Sequence, residues 1–327
     1  MTSKIDSPSE EQLTQKSILR GTLAALTCVV VGGTLIGLGS ETAGLGLTMF
    51  LILPAATGFV AVFTVRYWKA VCISLVIANG LCLLSLVAIG LEGIVCILMA
   101  LPIFVVGAML GAGIGYCLKR KSDSNISMAI MPILAGMTVF GAGKIEDRLP
   151  TGARIENVES SIIIDAAPDE VWKAIIGFDQ VKGTKPLLMG LGLPVPQSCT
   201  IHGSGIGAER ICHFNSGFIR ERVTRWQPPQ HLEFTVEEVQ LPGRHWLGFQ
   251  GGTYELVKID NRKTRITRTT IVTSTLRPGF YWRFFERLGT ETEHNYILDS
   301  LKSRFLPSGQ EPQQARVVKL PARPNAE

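Results

Sequence analysis

The chain has 327 residues and a formal net charge of +5 at pH 7; 46% of its residues are hydrophobic and 18% charged. This length allows about two domains, and the modest positive charge, with no Lys/Arg stripe carrying interleaved aromatics, argues against nucleic acid as a partner. From Ile18 to Ala142 the charged residues are Arg20, Glu41, Arg66, Lys69, Glu92, Lys119, Arg120, Lys121 and Asp123, whereas after Lys144 charge returns every few residues. An apolar half of this kind has too little polar surface to cover itself in water, so a single globular core is excluded.

In chain order, a polar tail (residues 1–17) precedes four apolar runs: Ile18–Gly39, Gly44–Val65, Ala70–Gly90 and Ile94–Leu118. Each reaches the length of about 20 residues that a bilayer-crossing helix needs. The tail is acidic as well as basic and the run after it exceeds a signal core, so a cleavable signal peptide is not expected. A fifth run, Ile126–Ala142, has 17 residues with Pro132 inside. Lys4, Lys16 and Arg20 lie at the amino-terminal end, up to the start of the first span, Arg66 and Lys69 follow the second, and Lys119, Arg120 and Lys121 follow the fourth, while Glu41 and Glu92 mark the alternate loops. Positive residues favour the cytoplasmic side, which puts the amino terminus inside. With five spans, the expected number, the C-terminal domain lies outside, on the periplasmic face in a bacterium. If the fifth run only lies on the surface, the domain is cytoplasmic.

Gly107, Gly111 and Gly115 in the fourth span, and Gly33 and Gly37 in the first, form small-residue rows that predict close helix packing. No ionisable residue stands in mid-span, which favours an anchor over a transport pathway. Five of the seven cysteines fall in this half and read as small hydrophobes.

Residues 144–155 form a charged linker to a domain over residues 156–306, and residues 307–327 read as a disordered tail. The domain opens with a strand at Val158–Asp165 and a helix from Pro168, whose Asp169 and Glu170 suit the positive end of the helix dipole. Pro186–Pro194 is a short helix or loop. Period-two alternation then predicts strands at Ser198–His202, Ala208–Phe214, Gly217–Trp226, His231–Glu238, Thr253–Ile259 and Arg265–Thr275. The final helix, Pro278–Phe305, is expected to bury Tyr281, Phe284, Leu288, Leu298, Leu301 and Phe305. The fold class is therefore a transmembrane helical bundle followed by an α+β helix-grip domain, in which an antiparallel sheet curves around the last helix and leaves a cavity.

The stretch VESSIIIDAAPDEVWKAI, from Val158 to Ile175, resembles the opening of the START-like (SRPBCC) superfamily, in particular its polyketide cyclase/dehydrase and lipid-transport branch. The stretches GSGIGAERICHF, RERVTRWQPPQHLEFTV and GFYWRFF resemble membrane-anchored members of that branch, and the similarity covers roughly Ile155–Leu306. It implies binding of lipids, polyketides or other hydrophobic molecules. Enzymes and non-enzymes share the superfamily, so it assigns no reaction.

A two-residue turn at Asn215-Ser216 sets Arg210 opposite Glu221, Cys212 opposite Ile219 and Ala208 opposite Val223. One more loop residue would oppose Arg210 to Arg222, a destabilising like-charge pair. An ion pair on an apolar concave face either holds the anionic head of a ligand or satisfies only itself; the second is the more usual. Arg268 joins this face if Ile266 points inward. His294, on the inner stripe of the last helix, is either an acid/base group or, more often for such a histidine, a packing residue. Phe234 and Tyr254 complete the expected cavity lining. No metal-ligand spacing or phosphate-binding loop is present, so no cofactor is expected. Cys199 and Cys212 lie on or near adjacent strands, and a disulfide between them is open to an extracytoplasmic domain.

Three functions fit these residues. The preferred one is a membrane-anchored, non-enzymatic binding module for a lipid or other hydrophobic small molecule, with a cavity of about 300–1,000 Å³. The alternatives are a cyclase or dehydratase using His294 or Glu221, and a tethered scaffold that holds a membrane partner protein through exposed aromatics such as Trp246, Phe249 and Tyr281–Phe285.

Overall fold

The computed structural model describes residues 10–39, 46–65, 67–88, 93–121, 130–149, 152–241 and 247–306. The expected breaks at Ser40–Thr42, Arg66 and Glu92, the aromatic Trp246, and the tail over 307–327 lie outside the described residues. The chain divides into two compact units, Met1–Gly152 with Thr275–Pro278, and Ala153–Ser274 with Gly279–Glu327.

In the first unit the helices are α1 (Glu10–Gly39), α2 (Leu53–Thr64, led in by a π-helical turn at Thr48–Ile52), α3 (Trp68–Ala88), α4 (Ile94–Lys121) and α5 (Ile130–Glu146). Stretches of α1, α3 and α4, at Thr14–Leu38, Trp68–Ala88 and Ile94–Arg120, are long and apolar enough to cross a membrane. The π turn and α2 together, with 5 and 12 residues, and α5, with 17, sit at the short end of that range. α1 starts before the expected Ile18 because Glu10–Ser17, though polar, is mostly good helix former. Pro54 cannot donate to the carbonyl of Phe50, and the backbone beside it is wound as a π turn.

Two charged side chains close the ends of this short helix. At its start, the Glu146 carboxylate accepts the backbone N–H groups of Leu47 (2.8 Å) and Thr48 (2.9 Å), donors that a helix start leaves unpaired. A Cβ on Gly46 would lie 1.9 Å from Glu146 Oε1, so glycine is required for this approach. At its far end, Lys119 Nζ donates to the carbonyls of Val62 (2.6 Å) and Val65 (3.0 Å). Residues 144–146, expected to begin a linker, are thus the last turn of α5, and Glu146 is buried.

The glycine row of α4 lies against α2. A Cβ on Gly111 would sit 1.8 Å from the carbonyl oxygen of Ala55, one on Gly107 2.7 Å from that of Leu51, and one on Gly115 3.2 Å from that of Phe59. Gly33 and Gly37 do not behave as expected, since neither has a neighbour within 4 Å. α1 makes its close approaches at Gly21, towards Val65 and Ser74, and at Gly32, towards Leu53.

The second unit is a seven-stranded sheet of β1 (Arg154–Ile164), β2 (Pro196–His202), β3 (Glu209–Phe214), β4 (Gly217–Gln227), β5 (His231–Gln240), β6 (Leu247–Asp260) and β7 (Lys263–Ser274). The order is β1-β7-β6-β5-β4-β3-β2, and every neighbouring pair is antiparallel. Between β1 and β2 come α6 (Pro168–Ile176) and α7 (Leu187–Gly190), and α8 (Gly279–Ser303) ends the unit. Six successive strands form the meander, and β1 closes it by pairing with β7, Arg154 opposite Ser274. β6 extends well ahead of the expected Thr253. Gly251 and Gly252 read as a break, yet they stay in the ladder because a Cβ there would meet the carbonyl oxygens of Phe234 (2.3 Å) and Thr269 (2.5 Å).

The core under α8 contains Ile164, Val171, Leu232, Ile266, Leu298 and Leu301, and Trp172 meets Trp226 edge to face at 5.4 Å. The inner face of α8 differs from expectation. Phe284 is 65% exposed and Leu288 39%, while Trp282, Glu286, Thr290, His294, Leu298 and Leu301 are buried. An apolar stripe was the wrong signal because the inward positions carry polar residues whose partners lie on the sheet. Glu286 meets Arg154 of β1 and Ser274 of β7.

Gly111→Leu should separate α4 from α2, because a backbone carbonyl cannot yield to the new side chain; overpacking of this sort costs about 1–3 kcal/mol. Thermal unfolding of the full chain in detergent should show a clear drop for Gly111→Leu and almost none for Gly113→Leu, where nothing lies within 4 Å. Equal drops would contradict this packing.

Candidate functional site

The β3–β4 turn fixes the site's register: Arg210 is paired with Glu221 and Cys212 with Ile219, as the charge argument requires. Arg210 is 2% exposed. Its Nη1 donates to Glu221 Oε2 at 2.6 Å, and its Nε and Nη2 face the carbonyls of Ile176 (3.3 Å) and Ile175 (3.4 Å) at the end of α6. Its guanidinium lies 5.2 Å from the Phe234 ring centre and 5.6 Å from that of Tyr254.

Tyr254 also receives a second guanidinium. Arg268, opposite Tyr254 on β7, lies 5.6 Å from the same ring and shares a row with the fully buried Ile266. It forms a two-point ion pair with Glu293 of α8, Nη1 to Oε2 at 3.0 Å and Nη2 to Oε1 at 3.1 Å. Its Nε is buried, with no acceptor among the described residues. The concave face thus holds two guanidiniums, two carboxylates and one phenol ring around Tyr254.

His294 has no exposed surface. Its Nε2 lies 2.7 Å from Thr270 Oγ1 and its Nδ1 3.2 Å from Ser160 Oγ, so a neutral ring can donate to one hydroxyl and accept from the other. Cys199 and Cys212 form a disulfide across the β2–β3 pair, and Cys212 Sγ lies 3.8 Å from Glu221 Oε2. These three residues bring their ligand atoms within 4.8 Å of one another. The disulfide removes both thiolates from metal ligation.

Burial drives the Glu221 carboxyl upward from its ordinary value, against the pull of Arg210 and Arg268. Burial likewise opposes charge on Arg268, but Glu293, Tyr254 and Glu221 together outweigh it and raise the guanidinium. His294 is held well below the ordinary imidazole value by burial first and by Arg268 second.

The expected cavity is smaller than foreseen. A crevice lined by Ala174, Ile175, Phe178, Tyr254, Ile297 and Leu301 has a cavity volume of only about 10 Å³, room for about one water molecule. The concave face is occupied by its own large side chains, Arg210, Tyr254 and His294 among the most deeply buried. Arg210, Glu221, Phe234, Tyr254 and Arg268 come together in one cluster, with Cys212 at its edge. His294, the residue directly after Glu293 on α8, is engaged with hydroxyls. Glu293, Ser160 and Thr270 were not singled out from sequence. A polar stripe at Glu286, Thr290, Glu293 and His294, spaced as one helix face, was the signal that could have found Glu293.

No family model matches this chain, and no curated protein does. Over about half of its length the chain is similar to several solved structures. An aromatase/cyclase (Zhui) from Streptomyces sp. R1128 is 17% identical, with 48% of this chain and 99% of that one covered and a TM-score of 0.33. Norcoclaurine synthase from Thalictrum flavum is 13% identical over 48% and 97%, TM-score 0.34. A START superfamily protein from Mycobacterium smegmatis is 11% identical over 47% and 97%, TM-score 0.34. The helix-grip assignment rests on the strand order and on the helix laid against the sheet, in the arrangement that the sequence resemblance implied.

His294 gives this site a pH signature. Above about pH 6.5 the ring is neutral in both folded and unfolded chains. Below it the unfolded chain takes up a proton that the buried ring does not, so stability falls with falling pH by up to ~1.4 kcal/mol per unit. Melting of the full chain between pH 7 and pH 5 should show this slope, and His294→Gln should lack it. Identical slopes would contradict the buried neutral ring.

Proposed function

We propose that this chain is a membrane-anchored START-like module that holds a small hydrophobic molecule carrying a polar or anionic group. One observation carries the reading: two guanidiniums are held against a single tyrosine ring on the concave face, and one of them has a buried Nε without an acceptor among the described residues. A guanidinium fork suits a carboxylate or phosphate, and the hollow between α6, β6 and α8 offers an apolar wall beside it. With room for about one water molecule, the crevice takes a ligand only as side chains move aside.

Anchoring is supported by the three long apolar helices, and five spans follow if α2 and α5 also cross. Alternating positive loops favour a cytoplasmic amino terminus. With five spans the sheet domain faces outward, a placement that the Cys199–Cys212 disulfide supports, because such bonds persist in oxidising compartments. Catalysis is less well supported. Both acid/base candidates are engaged, Glu221 by Arg210 and His294 by two hydroxyls.

The filled interior favours a second reading, a tethered scaffold that binds a partner protein. The two separate by mass spectrometry of solvent extracts from the full chain purified in mild detergent. The ligand reading expects one co-purifying amphiphile near stoichiometric amounts. It should be lost in Arg268→Gln and in Ala174→Phe, which fills the hollow without touching a charge. Folded wild-type protein free of any such molecule, or variants that retain it, would overturn the ligand reading.

A further inference from the structure

Phe280, Phe284 and Leu288 stand at i, i+4 and i+8 along the outer face of α8, 84%, 65% and 39% exposed. Residues at this spacing form one stripe on a helix, and large aromatics so exposed mark an interaction surface.

The sheet unit's own contacts locate the stripe. Arg154, the first residue of β1, contacts Glu286 through its guanidinium, and Arg283 pairs with Glu156 at 3.2 Å. A Cβ on Gly279 would lie 2.6 Å from Arg154 Nη1. The first turns of α8 therefore sit at the end of the sheet where the chain arrives from α5. Seven residues, Asp147–Ala153, separate the last residue of α5 from Arg154, a span of at most roughly 28 Å. If the apolar helices cross a bilayer, this end of the domain cannot leave its vicinity.

We propose that Phe280, Phe284 and Leu288 insert into the headgroup and acyl boundary of the leaflet to which the domain is tethered. This rests on the membrane-anchored reading above. Aromatic side chains favour that boundary. The flanking Arg283 and Arg287 keep their heads exposed, with side chains 57% and 54% exposed, within reach of lipid phosphates. Both already pair with carboxylates, Glu156 and Glu291, so the attachment is mainly apolar and should persist at high salt. Removing one phenylalanine side chain from water shifts an equilibrium by on the order of tenfold or more.

The test uses the full chain in vesicles of phosphatidylethanolamine and phosphatidylglycerol, with photoreactive benzoylphenylalanine placed singly at positions 284, 110 and 206. Leu110 is an exposed residue of α4, and Ile206 is an exposed residue in the loop at the opposite end of the sheet from Arg154. Lipid adducts at 110 and 284, with that at 284 about tenfold above 206, in low and high salt alike, would support the proposal. Adducts at 110 without any at 284, equal yields at 284 and 206, or attachment of 284 to a second copy or another protein would overturn it. An absence of lipid adducts at 110 would overturn the membrane-anchored reading as well, so the two failures are distinguishable.

Discussion

A seven-residue connection between Glu146 and Arg154 joins two parts of the chain that require different surroundings. One part is apolar on its outside as well as its inside. The other carries an ordinary charged surface over a packed core. Within the sheet unit, the start of β1, the end of β7 and the first turns of α8 gather at one end. The loops at 203–208 and 228–230 and the Asn261-Arg262 turn lie at the other.

Within the sheet unit, α8 is held across a seam that is polar for most of its length. Glu286 with Arg154 and Ser274 occupies the end nearest the start of β1, and Glu293 with Arg268 and His294 with Ser160 and Thr270 the middle. Leu298 and Leu301 complete it with apolar packing. Buried ion pairs contribute little net stability against apolar replacements, while loss of one partner typically costs about 3–5 kcal/mol. The seam therefore fixes where α8 lies more than how tightly it is held. It also sets a condition on any ligand, which must offer Arg268 more than Glu293 already supplies or use the unfilled Nε.

Much of this fold was legible in the sequence because the signals were local. Alternating apolar residues marked the strands, Pro168 marked the start of α6, and like-charge repulsion between Arg210 and Arg222 selected the hairpin register that brings Arg210 to Glu221. The failures share a cause in tertiary partners that lie far away in the chain. Helical periodicity in apolar residues places Phe284 and Leu288 in the core, whereas the structure leaves them exposed. The buried face instead carries Glu286, Thr290 and His294, made tolerable by sheet residues that no local window contains. Glu146 looked like linker because its acceptors' partners, Leu47 and Thr48, are nearly a hundred residues earlier. Sequence named most of the site cluster but could not show that those side chains fill the space expected for a cavity, since filling depends on rotamers.

The disulfide connects the site to the proposed placement of the domain. Cys212 lies next to the carboxylate that holds Arg210, so the state of its sulfur bears directly on the proposed site. The most direct measurement is thiol counting on the full chain from cells lysed directly into denaturant with excess maleimide. An outward-facing, oxidised sheet domain predicts that Cys28, Cys72, Cys82, Cys96 and Cys117 are alkylated at once, while Cys199 and Cys212 react only after reduction. Immediate alkylation of all seven cysteines would contradict that placement.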